Sequence, residues 1–131
     1  MPRRGDVTSS NPLIAVVDDD AAVRNSLKFS LEIEGFDVRA YGSASELLRA
    51  KELTVYQCLI VNQDSPDMSG LELVATLRRQ GVKTPAVLIS GHVTPMTVRH
   101  AAGAGVPVVE RPFLEDRLVE LIRAATGTKR T

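Results

Sequence analysis

Short, unbroken apolar runs alternate along this chain with stretches whose apolar residues recur every three or four positions. LIAVV (13–17), CLIV (58–61) and AVLI (86–89) contain no polar residue, the pattern of strands buried on both faces. VPVV (106–109) is a fourth such run, and Pro107, lacking an N–H, places it at a sheet edge. FDVRAY (36–41) alternates apolar and polar, as an edge strand with one wet face does. Between the runs, Val23, Leu27 and Leu31 share one face of a helix that Asp20 can cap and Gly35 stops. Ser43 can cap a short helix holding Leu47 and Leu48, and Leu71, Val74 and Leu77 mark a helix over 71–80 that Gly81 stops. Thr94-Pro95 is a cap and first-turn pair for a fourth helix, which ends weakly in AAGAG (101–105). Leu114, Leu118, Leu121, Ile122 and Ala125 mark the last.

Five β–α units of this kind predict an α/β fold: a parallel sheet with helices on both faces. The wet strand and the proline-bearing strand belong at the two edges. That fits a flavodoxin-like (βα)5 three-layer sandwich with strand order 2-1-3-4-5. Residues 1–11 are polar and turn-rich and read as a flexible arm, 12–126 as one domain, and 127–131 as a short tail with no output domain after it.

The charges balance, 16 Lys+Arg against 16 Asp+Glu, so the basic excess of a nucleic-acid binder is missing. No apolar run approaches the roughly 20 residues that span a bilayer, and the N-terminal arginines precede no apolar signal segment. The expectation is a cytoplasmic protein that binds neither nucleic acid nor membrane. A single cysteine, Cys58, precludes an internal disulfide and reads as a small buried hydrophobe. His92 and His100 have no partner pattern of acids or cysteines and read as surface residues.

In such a sheet the site lies beyond the carboxyl ends of the central strands. Those ends supply Asp18, Asp19 and Asp20, then Asn62, then Ser90, then Arg111. Acids facing a hydroxyl and a cation suit a hard metal and a phosphoryl group. Taken alone, the three aspartates also read as a solvated turn with a helix cap. No glycine-rich phosphate loop follows the first strand, which weighs against a nucleotide site.

VVDDD (16–20), SPDMSGLEL (65–73), LISGH (88–92) with PMTV after it, and ERPF (110–113) stand in order along the chain. Together they resemble the receiver domain of bacterial two-component response regulators, most closely the FixJ type, over about residues 12–125. The resemblance implies that two acids after the first strand bind Mg²⁺ and that an aspartate after the third accepts a phosphoryl group from a sensor kinase. A Ser or Thr and a Lys then contact the phosphate. Asp18 and Asp19 match the acid pair and Ser90 the hydroxyl, but the acceptor position carries Asn62, the lysine position Arg111 and the aromatic switch position Val108. Ser65 replaces a methionine, and the stretch after His92 is one residue short. The resemblance also implies a cis bond between Arg111 and Pro112.

A neutral amide cannot form an acyl phosphate, and its lost charge weakens any metal site. The expectation is therefore no cofactor, with at most weak Mg²⁺ binding at Asp18 and Asp19, and no enzymatic activity. Arg111 presents a fork suited to carboxylates and is expected to pair with Asp18 or Asp19. Asp64, two residues past Asn62, is either a solvated loop carboxylate or a substitute acceptor. Asp67 and Ser69 read as turn and cap. The function implied is a stand-alone pseudo-receiver that docks a sensor histidine kinase or another signalling protein. The face of the fourth helix, last strand and last helix is the expected partner surface, and it leaves room for a homodimer. The alternative is a working phosphotransfer receiver that uses Asp64.

Overall fold

The computed structural model describes residues 11–112 and 115–127. Five strands, β1 (Leu13–Val17), β2 (Asp37–Tyr41), β3 (Cys58–Asn62), β4 (Ala86–Ser90) and β5 (Val108–Glu110), form one sheet in the order β2-β1-β3-β4-β5. Every pairing is parallel. The helices are α1 (Ala21–Ile33), α2 (Ala44–Leu48), α3 (Gly70–Arg79), α4 (Pro95–Ala104) and α5 (Glu115–Thr126). This is the flavodoxin-like arrangement that the alternation of patterns predicts. Among the described residues no helix is long and apolar enough to cross a membrane.

Unbroken apolar strands are needed because both faces of the sheet are covered. Ile14, Val16, Ile60 and Ile89 pack toward Leu27 and Leu31 of α1 and Leu118 and Ile122 of α5. Ala15, Val17, Val61 and Leu88 point the other way, toward Leu47 of α2, Leu73 and Leu77 of α3 and Ala101 of α4. Cys58 is fully buried in the first layer, and burial pushes its thiol up to about 12.

The caps follow the sequence. Asp20 accepts from the N–H groups of Ala22 and Val23, and Ser43 from that of Glu46. Ser69 with Glu72, and Thr94 with Thr97, form capping boxes. Asp67 does more than turn the chain, because its carboxylate accepts from the Ser45 hydroxyl at 3.2 Å.

Four expectations change. β5 runs 108–110 rather than 106–109: Val106 is already buried ahead of it, and ladder pairing starts after Pro107. Ala125 is exposed, so the buried stripe of α5 ends at Ile122. A single 3₁₀ turn, Leu53–Val55, leads into β3 where no element was expected. Leu114 and Phe113 lie outside the described residues, as do 1–10 of the arm and 128–131 of the tail. AAGAG is a firmer end than expected, since α4 continues through Gly103 and stops at Gly105, whose φ of 71° suits glycine.

Register brings the strand ends together. Val17 lies opposite Val61, Asn62 opposite Ile89, and Ser90 opposite Glu110. Asn62 and Ser90 are therefore the last residues of β3 and β4, and Asp18 and Arg111 the first after β1 and β5, at one end of the sheet. Gly70 lets α3 begin close beneath this end, because a Cβ there would lie 2.7 Å from Leu88 Cδ2 and 3.1 Å from the Asn62 carbonyl oxygen. Gly70→Ala is expected to lower stability by about 1–3 kcal/mol in urea unfolding, through overpacking. Gly103→Ala meets nothing within 4 Å in a helix and is expected to raise it by about 0.5–1 kcal/mol. Equal effects at the two sites would rule out this packing account.

Candidate functional site

Asp18 leaves β1 buried, at 2% exposure. Its Oδ1 accepts the Asp20 N–H at 2.9 Å, and its backbone carbonyl accepts from Arg24 Nη1 at 2.8 Å. Burial raises the pKa of its carboxyl, an effect that the Asp20 N–H and then the Arg111 charge oppose. Asp19 is exposed, and its Oδ1 accepts from Asn62 Nδ2 at 3.0 Å.

Asn62, buried at the end of β3, joins the two sides of the pocket. Its Oδ1 accepts from the backbone N–H of Asp64 and from Arg111 Nη2, both at 3.1 Å. The partners fix the orientation of the amide, because a guanidinium and a backbone N–H can only donate and a carboxylate can only accept. Arg111 therefore does not take the expected partner. Its side chain donates to Asn62, and among the described residues no ion pair within 4.0 Å joins it to Asp18 or Asp19. Asn62 stands between the two: its Oδ1 meets the guanidinium while its Nδ2 meets Asp19 Oδ1. The Arg111–Pro112 bond is cis, as the resemblance implied.

Asp64 is exposed as a residue, yet its carboxylate is held. The Ser90 hydroxyl contacts Oδ1 at 3.2 Å and Oδ2 at 3.1 Å, and the Gly91 N–H donates to Oδ2 at 3.0 Å. The reading of Asp64 as merely a solvated loop carboxylate is corrected accordingly. The register of β3 on β4 sets the residues after Asn62 beside Ser90, but it gives no side-chain direction in the loop. Gln63 was also missed; its Oε1 accepts the Leu71 N–H at 2.8 Å and ties the loop to α3. Val108 is half-buried against the α2–α3–α4 layer, and His92 and His100 are exposed.

A divalent cation needs several lone pairs aimed at one point. Here an N–H of Asn62 points at Asp19 Oδ1, and Asp18 Oδ1 is taken by a backbone amide. Among the described residues no group of three or more His, Cys, Asp or Glu is placed to hold a metal. With an amide at Asn62, the strand ends offer a magnesium-like ion the carboxylates of Asp18 and Asp19 and a neutral carbonyl oxygen already bonded to Arg111.

The raised pKa of Asp18 has a testable sign. The folded state holds the Asp18 proton more tightly than the unfolded chain, so this group costs stability as pH rises through its folded pKa. Asp18→Asn, which keeps an Oδ1 for the Asp20 amide, is expected to be more stable than the parent at pH 7. The advantage should vanish once pH falls below the ordinary aspartate range. Urea unfolding at both pH values checks this, and a pH-independent difference would contradict it.

The sequence profile of the response regulator receiver domain matches residues 14–123. Nodulation protein W of Bradyrhizobium diazoefficiens is 35% identical over 123 residues, 93% of this chain and 54% of that protein. The transcriptional regulatory protein FixJ of the same organism is 34% identical over 113 residues, 86% of this chain and 55% of that protein. The chain thus spans about half the length of these curated relatives. Among solved structures, FixJ-N superposes with a TM-score of 0.81 at 31% identity, covering 93% of this chain and 98% of that one. A receiver domain protein of Methanospirillum hungatei JF-1 gives 0.81 at 26% identity, covering 90% and 95%. A profile match over most of the chain and a shared five-stranded fold lead to one conclusion: this chain belongs to the response regulator receiver domain family of two-component signalling.

Proposed function

We propose that this receiver works in the cytoplasm without phosphorylation, by binding a sensor histidine kinase or another signalling protein, and has no catalytic activity of its own. One observation carries the reading. The residue at the acceptor position, Asn62, is an amide whose oxygen and nitrogen are both engaged, with Arg111 and Asp64 on one side and Asp19 on the other. An amide supplies no carboxylate nucleophile for an acyl phosphate. With the acid pair also poorly disposed toward a cation, Mg²⁺ is bound weakly or not at all.

Ser90 weighs against Asp64 as a substitute acceptor. A phosphate-contacting hydroxyl has to reach the oxygens of the transferred group, which lie two bonds beyond the acceptor oxygen. The one Ser90 proton is instead directed at the Asp64 carboxylate itself. Val108, with no ring to swing, also fits a receiver whose pocket and surface are uncoupled. Acetyl phosphate with Mg²⁺, followed by intact mass, is expected to leave the protein unmodified. A stable adduct of one phosphoryl group that disappears in Asp64→Ala would establish the phosphotransfer alternative instead.

The partner surface we propose is the α4–β5–α5 face, which would also accommodate a homodimer. Met96 and Val98 are more than half exposed on α4. A second surface competes, because Phe29 and Ile33 stand one turn apart on α1 and are both about two-thirds exposed. Hydrogen exchange with a candidate kinase separates the two. Protection over 95–126 is expected, and protection confined to 21–33 would transfer the interface to α1.

A further inference from the structure

The corner between β4 and α4 is built to recognise an anion. The Ser90 hydroxyl and the Gly91 N–H converge on one oxygen, Asp64 Oδ2, at 3.1 and 3.0 Å. Ser90 is fully buried, and its oxygen accepts the His92 N–H at 3.0 Å. With that lone pair engaged, the hydroxyl proton is turned toward the carboxylate, and each bond polarises the next. The other half of the contact is equally fixed. The Asp64 backbone N–H donates to Asn62 Oδ1, and Gln63 is bonded to β4 and to α3. The carboxylate is thus delivered to the corner by a short, well-anchored loop.

We propose that Asp64 is an intramolecular ligand of the Ser90–Gly91 corner. Its carboxylate fills a site that would otherwise take a free oxyanion such as inorganic phosphate, and it joins the β3–α3 loop permanently to the β4–α4 loop. The tethered carboxylate is always at hand, so a free anion must compete against a very high local concentration. The corner then needs no added ligand to hold the loops together, and the start of α4 is set by the chain itself. This assignment rests on the phosphorylation-independent reading. The two are separable, because that reading is decided by intact mass and this one by the amides of the corner.

The test uses the whole chain, labelled with ¹⁵N, with inorganic phosphate as the probe. In the parent protein, the Gly91 and His92 amide signals are expected to stay in place as phosphate is raised through the millimolar range. In Asp64→Ala the Gly91 amide should exchange with solvent about tenfold faster or more, as loss of a charge-assisted hydrogen bond implies. The same amides should then shift saturably with phosphate, and Ser90→Ala added to that variant should abolish the shift. Asp64 is exposed, so the variant is expected to fold, and unchanged core amide signals verify this. Asp64→Asn, which keeps the shape without the charge, gives a second reading of the same site. A parent protein that responds to phosphate as the variant does overturns the proposal. So does a variant whose Gly91 exchange is unchanged, or one that exchanges faster yet ignores phosphate. A phosphate shift that survives Ser90→Ala shows an adventitious ion only and also overturns it.

Discussion

At the end of β3 a carboxamide donates to one side chain and accepts from another. Asn62 Nδ2 bonds Asp19, while its Oδ1 receives Arg111 and the Asp64 amide. An aspartate of the same shape could only accept, and would set a third negative charge beside Asp18 and Asp19. Two unit charges 4 Å apart at an effective dielectric of 20 interact by about 4 kcal/mol, so a third carboxylate would call for a cation to answer it. The neutral amide removes that demand. It also gives Asp19 a donor, which leaves the Arg111 charge acting on Asp18 through space rather than through contact.

The sheet makes this arrangement possible, and the arrangement in turn shapes the loops above the sheet. Parallel pairing in register presents the ends of β1, β3, β4 and β5 at a common level. Gly70 allows α3 to start directly beneath Asn62, where any side chain would strike Leu88. The loop between Asn62 and Gly70 is therefore short of freedom at both ends. Its first residues turn back on the Asn62 side chain and carry Asp64 across to Ser90.

The regular elements were legible because burial on two faces demands unbroken apolar runs, and β1, β3 and β4 obey that rule. β5 was misplaced because apolarity marks burial rather than pairing. Val106 is buried in the helical layer before the ladder begins, and Pro107 cannot donate to it. The end of α5 differs for a related reason, since helical spacing continues to Ala125 while burial stops at Ile122. In the pocket, the strand-end residues were legible from topology alone. Arg111 was not, because counting charges ignores a neutral amide that can bond the guanidinium and a carboxylate at once. Asp64 was not, because spacing gives no side-chain direction in an irregular loop.

Polar satisfaction separates a pocket that awaits a ligand from one that has closed on itself. Buried polar groups left without partners are costly, and native structures keep them where something is meant to bind or react. Among the described residues the buried side-chain atoms without a partner are Ser65 Oγ and Arg123 Nε. Neither belongs to the strand-end set. Asp18, Asn62 and Ser90 are all buried, and all are bonded to groups of the chain itself. A ligand entering here would have to compete with bonds already made at Asn62 and Ser90. Compared with a site of orphaned donors, the net gain is smaller by the bonds that must be broken, and binding weakens accordingly. Outside the pocket, Phe29, Ile33, Met96 and Val98 are exposed to water, and a partner that covered them would gain the burial of apolar surface.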